Sequence, residues 1–177
     1  MANWIDAHLH LTDPRIAREL SAFLEEANEA GIGHFVLGGV EPDEWESQKR
    51  LAADRPGKFS LSFGLHPRWI AERPRDERIS SALARLSAEI DRFTREIVAV
   101  GETGLDFHPR FSAESHPAQE SVFREHLRLS FLHDVPLVLH VVRAHERALE
   151  ILKEERRAAS MSGGAAEYRG IVHSFSD

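Results

Sequence analysis

Apolar residues along the chain fall into two alternating kinds of segment. Short apolar or β-branched runs at 4–11 (WIDAHLHL), 34–40 (HFVLGGV), 59–66 (FSLSFGLH), 97–101 (IVAVG), 136–142 (PLVLHVV) and 170–175 (GIVHSF) read as strands. The stretches between them carry apolar residues at helical spacing. Asp13-Pro14 supplies an N-cap and first turn, after which Ile16, Leu20, Phe23, Leu24 and Ala27 mark one face, closed by Gly31 and Gly33. Further helices are predicted over about 42–54, along the face Ile79, Leu83, Leu86, Ile90 and Phe93, over 117–133 and over 145–159, with a loop at 160–166. The third strand is expected to stop at Pro67.

Six strands with five intervening helices indicate repeated βα units and a parallel sheet. Two architectures satisfy that rhythm, an open doubly wound sheet and a (β/α)8 TIM-type barrel. Alternation alone does not separate them. Ligand-type residues at the C-terminal ends of several strands favour the barrel, here incomplete at about six strands, since a full barrel takes roughly 250 residues. No shift in composition divides residues 1–177, so one domain is expected.

Composition narrows the partners more than the fold. With 42% hydrophobic and 29% charged residues, the chain is an ordinary globular one, and no run of about 20 apolar residues announces a membrane span. The first residues lack the basic and apolar regions of a secretory leader, so a cytoplasmic location is the expectation. Cysteine is absent, which excludes disulfides and thiol chemistry. A formal charge of −7 disfavours coating of duplex DNA through a broad basic face. It is compatible with an enzyme acting on DNA at one cation-filled pocket. Oligomerisation is left open.

Eleven histidines are many for this length, and their positions decide their meaning. Strand 1 ends in His8-Leu9-His10, whose alternation places both imidazoles on one face, as a metal pair or as two surface histidines. Asp6 shares that face as a ligand or as a partner orienting a histidine. Glu102 directly follows IVAVG, at a barrel's working end or in an exposed acidic turn. His140 and His173 interrupt apolar strands, where each alone reads as a hydrogen-bonded core histidine. Taken together, His8, His10, Glu102, His140 and His173 form a set able to surround two metal ions with a bridging carboxylate, activating water and stabilising phosphoryl oxygens. Mixed imidazole and carboxylate ligands suit zinc or manganese better than an all-oxygen magnesium site. His66 either donates to a substrate phosphate or closes a turn before Pro67, and Arg143 either neutralises phosphate or is a solvated helix-start arginine. His34, His108, His116, His126, His133 and His145 are expected to be solvated.

The pieces DAHLHL (6–11), FGLHP (63–67), VGETGLDF (100–107), PLVLHVVRA (136–144) and VHSFS (172–176) resemble, in order, the TatD family of metal-dependent deoxyribonucleases. That resemblance implies a barrel hydrolase acting on DNA phosphodiester bonds, often from an end, with two divalent ions (Mg, Mn or Zn). By motif, His8 and His10 would bind one metal, Glu102 would bridge both, and His140 and His173 would serve the second. His66 and Arg143 would approach substrate phosphate, and Asp6 and Asp106 would have supporting roles.

The family pattern continues beyond HSFS to a metal-binding aspartate in a late Thr-Asp context, and Asp177 does not fill that role. The expectation is a fragment of a longer enzyme or a natural truncation. Two alternatives stay beside the nuclease. A related amidohydrolase would use a modified lysine at the end of strand 4, where this chain has Glu102 and no lysine between Lys58 and Lys153. An inactive relative would bind metal or nucleic acid and cut nothing.

Overall fold

The computed structural model describes residues 4–12, 16, 18–73, 77–93, 95–161 and 167–173. Six parallel strands form one sheet in sequential order: β1 (Trp4–Leu9), β2 (Ile32–Gly39), β3 (Phe59–Phe63), β4 (Ile97–Asp106), β5 (Leu137–Val142) and β6 (Gly170–His173). The helices are α1 (Leu20–Glu29), α2 (Pro42–Asp54), α3 (Pro67–Ala71), α4 (Arg78–Arg92), α5 (His116–His133) and α6 (His145–Met161), with a 3-10 turn at Ala113–Ser115. Sequential parallel order is what one crossover per βα unit produces. The sheet curls until its first and last strands approach each other, for the rings of His8 on β1 and His173 on β6 lie 4.5 Å apart. The result is a nearly closed barrel.

The core lies between sheet and helices, and the apolar spacing explains which faces meet. Ala82, Leu86 and Ile90 of α4, and Val122, Phe123 and Leu127 of α5, are buried at helical intervals against Phe35, Leu37, Leu61, Phe63 and Val100 of the strands. Trp45 of α2 stacks on Phe63 at 5.4 Å and is fully buried. At the margins of the sheet the pattern reverses. Trp4 and Ile5 on β1, and Ile171 and Val172 on β6, are exposed.

Three expectations change. Residues 67–71 form a helix where the sequence reading ended a strand and placed nothing, giving six helices among the described residues rather than five. Pro67 occupies its first turn, where a missing N–H costs nothing, and the His66 imidazole caps it by accepting the Arg68 N–H at 3.0 Å. Strand 4 does not exit at its first glycine but pairs with β5 through Gly104↔His140, Leu105↔Val141 and Asp106↔Val142. Gly104 (φ 130) makes that possible, since a Cβ there would stand 2.2 Å from the His140 carbonyl oxygen. Third, His126 is fully buried, and His34, His108, His116, His133 and His145 are partly buried, so the solvated reading fails. His116, for example, stacks on Phe107 at 3.6 Å, and His34 bonds Gly57 and Ser60. The N-cap read at Asp13-Pro14, most of the loop at 160–166 and the end of strand 6 lie outside the described residues. No helix among the described residues is long and apolar enough to cross a membrane.

Candidate metal centre

Register explains how a glutamate in the middle of a strand reaches the barrel mouth. Gly101 pairs with Val138 and Thr103 with Leu139, so Glu102 is the extra residue of a bulge. A bulge re-aims the side chain it carries. The Ser62 hydroxyl fixes the preceding turn of backbone by donating to the Gly101 carbonyl at 2.9 Å.

The Glu102 side chain is 2% exposed and its two oxygens face different histidines. Oε2 lies 3.2 Å from Nε2 of both His8 and His10. Oε1 lies 3.2 Å from His140 Nδ1 and 3.4 Å from His66 Nε2, and it also contacts His173 Nε2. The ends of β1, β3, β5 and β6 thus converge on one carboxylate of β4. The finer grouping differs. Ligand atoms cluster as His8–Glu102–His173 and as His66–Glu102–His140, whereas the resemblance paired His140 with His173.

Hydrogen bonds at the far side of each ring decide which nitrogen faces the centre with a lone pair. His10 Nδ1–H donates to the Gly38 carbonyl at 3.0 Å, which in the neutral ring leaves Nε2 bare toward Glu102. The same carbonyl accepts Gln48 Nε2–H at 2.8 Å from a fully buried side chain. His66 is arranged in the opposite sense. Its Nδ1 accepts the Arg68 N–H, so in the neutral ring the proton sits on Nε2 and points at Glu102. His66 therefore presents a donor, which suits a phosphate oxygen better than a cation.

Asp106 and Asp6 act from outside the cluster. The Asp106 carboxylate lies 3.6 Å from His140 Nε2 and also accepts the His108 N–H and Arg110. Gln119, 1% exposed, clamps the Asp106 backbone by accepting its N–H and donating to its carbonyl. Asp6 accepts the His8 backbone N–H at 3.1 Å and thereby steadies the strand rather than a ring. Arg143 is not brought into the cluster. It turns out of β5 with φ 52 and lines a separate cavity of about 420 Å³ with Phe107, Arg147 and Glu150.

The electrostatics call for positive charge at this point. Burial would raise the Glu102 carboxyl, but hydrogen bonds from His10, His140, His66 and His8 hold it far below the usual carboxylate range. Asp106 behaves alike: burial raises it, and His140, the His108 amide and Arg110 bring it down to about 2. Burial works to lower His140, yet the two carboxylates raise it to about 9, and Glu102 raises His10. The buried carboxylates draw protons onto the imidazoles around them. His8 Nδ1 and His140 Nε2 are buried without a hydrogen-bond partner among the described residues. The nitrogens that face the shielded carboxylate are His8 Nε2, His10 Nε2 and His140 Nδ1, and such a set of imidazoles around one carboxylate fits a divalent cation.

One position outside the cluster shapes it. A Cβ on Gly38 would stand 2.3 Å from His8 Cε1, so the His8 ring occupies the space that a side chain would take. Gly38→Ala is expected to displace the ring and to weaken Mn²⁺ binding by about tenfold or more, with the fold intact. Titration calorimetry checks this, and unchanged affinity would remove His8 from the ligand set.

Comparison with known proteins agrees with this geometry. The family described as TatD related DNase matches residues 5–177. Among curated relatives, the 3'-5' ssDNA/RNA exonuclease TatD of Yersinia pseudotuberculosis is 32% identical over 148 residues, covering 83% of this chain and 53% of that protein. The human deoxyribonuclease TATDN3 is 28% identical over 156 residues, covering 85% and 56%. The solved structure of YjjV, a TatD homologue from Escherichia coli K12, matches with a TM-score of 0.79 at 26% identity, covering 98% of this chain and 61% of that one. The chain spans about half the length of the curated exonucleases it matches. With its strand order, its histidine-ringed bulge glutamate and a match across nearly its whole length, the chain belongs to the TatD-related DNase family.

Proposed function

We propose that residues 1–177 form one domain that binds two divalent cations (Mg, Mn or Zn) and hydrolyses phosphodiester bonds in DNA, working from a strand end. The observation that carries this reading is the division of the Glu102 carboxylate, with Oε2 facing His8 and His10 and Oε1 facing His66, His140 and His173. A carboxylate so placed suits a bridge between two ions. Such ions supply Lewis-acid stabilisation of phosphoryl oxygens and of an attacking water.

The chain's own residues do the rest. His8, His10, His140 and His173 would hold the cations, with Glu102 between them. His10 is kept in the ligating tautomer by the Gly38 carbonyl, itself braced by Gln48. His66 donates its Nε2–H to a non-bridging phosphate oxygen and so orients the phosphorus toward the water. Arg143, on the outer rim, serves a phosphate further along the strand. Asp106 holds the His140 ring, and Asp6 holds the strand that carries His8.

The test uses a fluorescent single-stranded oligonucleotide with Mn²⁺. Cleavage that stops on chelation is expected, and His66→Ala is expected to raise KM by about tenfold while leaving Mn²⁺ affinity unchanged. Metal binding with no cleavage under any divalent ion would overturn the hydrolytic reading in favour of an inactive metal-binding relative. Loss of metal in the His66 variant would make that residue a ligand.

A further inference from the structure

The cavity that opens above Glu102 is large, about 720 Å³, and it extends well past the histidines. Its far wall is built from α3 and carries Arg68, Trp69, Glu72 and Arg73. Trp69 is part of that lining, and among the described residues the other rings there are imidazoles. It stands three residues beyond His66, the cap of the same helix, and residues at that spacing share a side. The ring is half-buried, packed on the core at one edge. The Arg73 guanidinium lies over one face of the ring, 5.0 Å from its centroid, and is tied down by the Trp69 carbonyl and by Glu72, both at 3.3 Å, so a base would take the other face. That fastening holds the indole in place before any ligand arrives.

We propose that Trp69 is a stacking platform for the nucleobase attached to the phosphate at His66 and Glu102. The proposal rests on the phosphodiesterase reading for its substrate and adds what that reading lacks, a reason for the site to prefer nucleotides over base-free phosphodiesters. In a nucleotide the base stands one sugar away from its phosphate, as Trp69 stands one helical turn from His66. Stacking reads a flat face and not a hydrogen-bond pattern, so the platform tolerates any base but requires it to be unpaired. A single strand or a frayed end satisfies that condition, and the interior of a duplex does not. Arg68 and Arg73 are partnered by Glu72, so this wall contributes shape and aromatic surface more than net charge.

Two measurements test the proposal. In the first, kcat/KM with Mn²⁺ is compared for a thymidine oligonucleotide and for one of equal length whose terminal residues are base-free tetrahydrofuran units. The intact chain is expected to prefer the base-bearing strand by roughly 10- to 100-fold, the range that stacking on an aromatic provides. Trp69→Ala should lose the preference by slowing only the base-bearing substrate, through KM. Trp69→Phe, which keeps an aromatic face, should retain most of it. A variant that unfolds would slow both substrates alike, so the ratio separates stacking from support of the core. A preference that survives in Trp69→Ala overturns the proposal. The second measurement needs no turnover. Thymidine 5′-monophosphate is expected to quench indole emission in the intact chain and not in Trp69→Phe, while deoxyribose 5-phosphate quenches neither. Quenching without hydrolysis would sustain the platform and sink the phosphodiesterase reading. Absence of quenching would sink the platform whatever the activity.

Discussion

Glu102→Gln is expected to lower turnover by roughly three orders of magnitude, equivalent to about 4 kcal/mol of transition-state stabilisation. The substitution keeps the shape of the side chain and removes only its charge. Both oxygens of the carboxylate are engaged, and the residue sits on a bulge whose backbone Ser62 fixes from β3. Among the described residues no neighbouring acid is placed to take over, because Asp106 is committed to His140, Arg110 and the His108 amide. An amide offers one neutral oxygen to cations and turns its NH2 toward the other side, so both clusters lose the anion and one of them loses its oxygen ligand altogether. Calorimetry should show loss of at least one Mn²⁺ equivalent, with the thermal transition of the metal-free protein little changed, since the variant also removes a buried charge. Full metal stoichiometry with normal turnover would exclude Glu102 as the bridge.

His126→Phe is expected to act on stability with an unusual pH signature. His126 on α5 is fully buried, donates from Nδ1 to the Val122 carbonyl and accepts the Leu65 N–H at Nε2, 2.9 Å away. It therefore anchors the loop that places His66. Phenylalanine leaves the Leu65 N–H buried without a partner, at a cost of about 1–3 kcal/mol near pH 7.5. Burial lowers the His126 pKa from 6.5 to about 4. Below 6.5 the unfolded chain takes up a proton that the folded chain refuses until pH 4. The stability His126 provides is thus complete above pH 6.5 and is lost as pH falls to 4, by about 3 kcal/mol in all. The variant lacks this loss, so its deficit should shrink and vanish or reverse near pH 4.5. Denaturant titrations at the two pH values measure the difference. A deficit independent of pH would mean that His126 is not held neutral.

What the sequence revealed about this site follows from how unusual its residues are where they stand. Histidines and a glutamate at the ends of apolar runs contradict the local pattern, and such contradictions mark working residues. His8, His10, Glu102, His140 and His173 were legible for that reason, and the βα rhythm was legible because helical and strand periods differ. Gln48 and His126 were not. Their partners, the Gly38 carbonyl and the Leu65 amide, lie 10 and 61 residues away and are backbone groups, which leave no trace in side-chain spacing. The α3 helix was missed because Pro67 was read as a terminator, although proline also begins helices. Strand alternation ends at Val142 and fixes no direction for Arg143 beyond it. The Glu102 bulge depends on pairing with β5 and so appears only once the sheet is assembled.

The two margins of the sheet give the site a mechanical meaning. His8 comes from the first strand and His173 from the sixth, strands that share no hydrogen bonds among the described residues and that expose Trp4, Ile5, Ile171 and Val172. Glu102 reaches both from the opposite wall. A cation held by those three residues would tie the first strand to the sixth by way of the fourth. Filling the site and bending the sheet would then be a single equilibrium, in which whatever tightens the curl of the strands also tightens the grip on the ion.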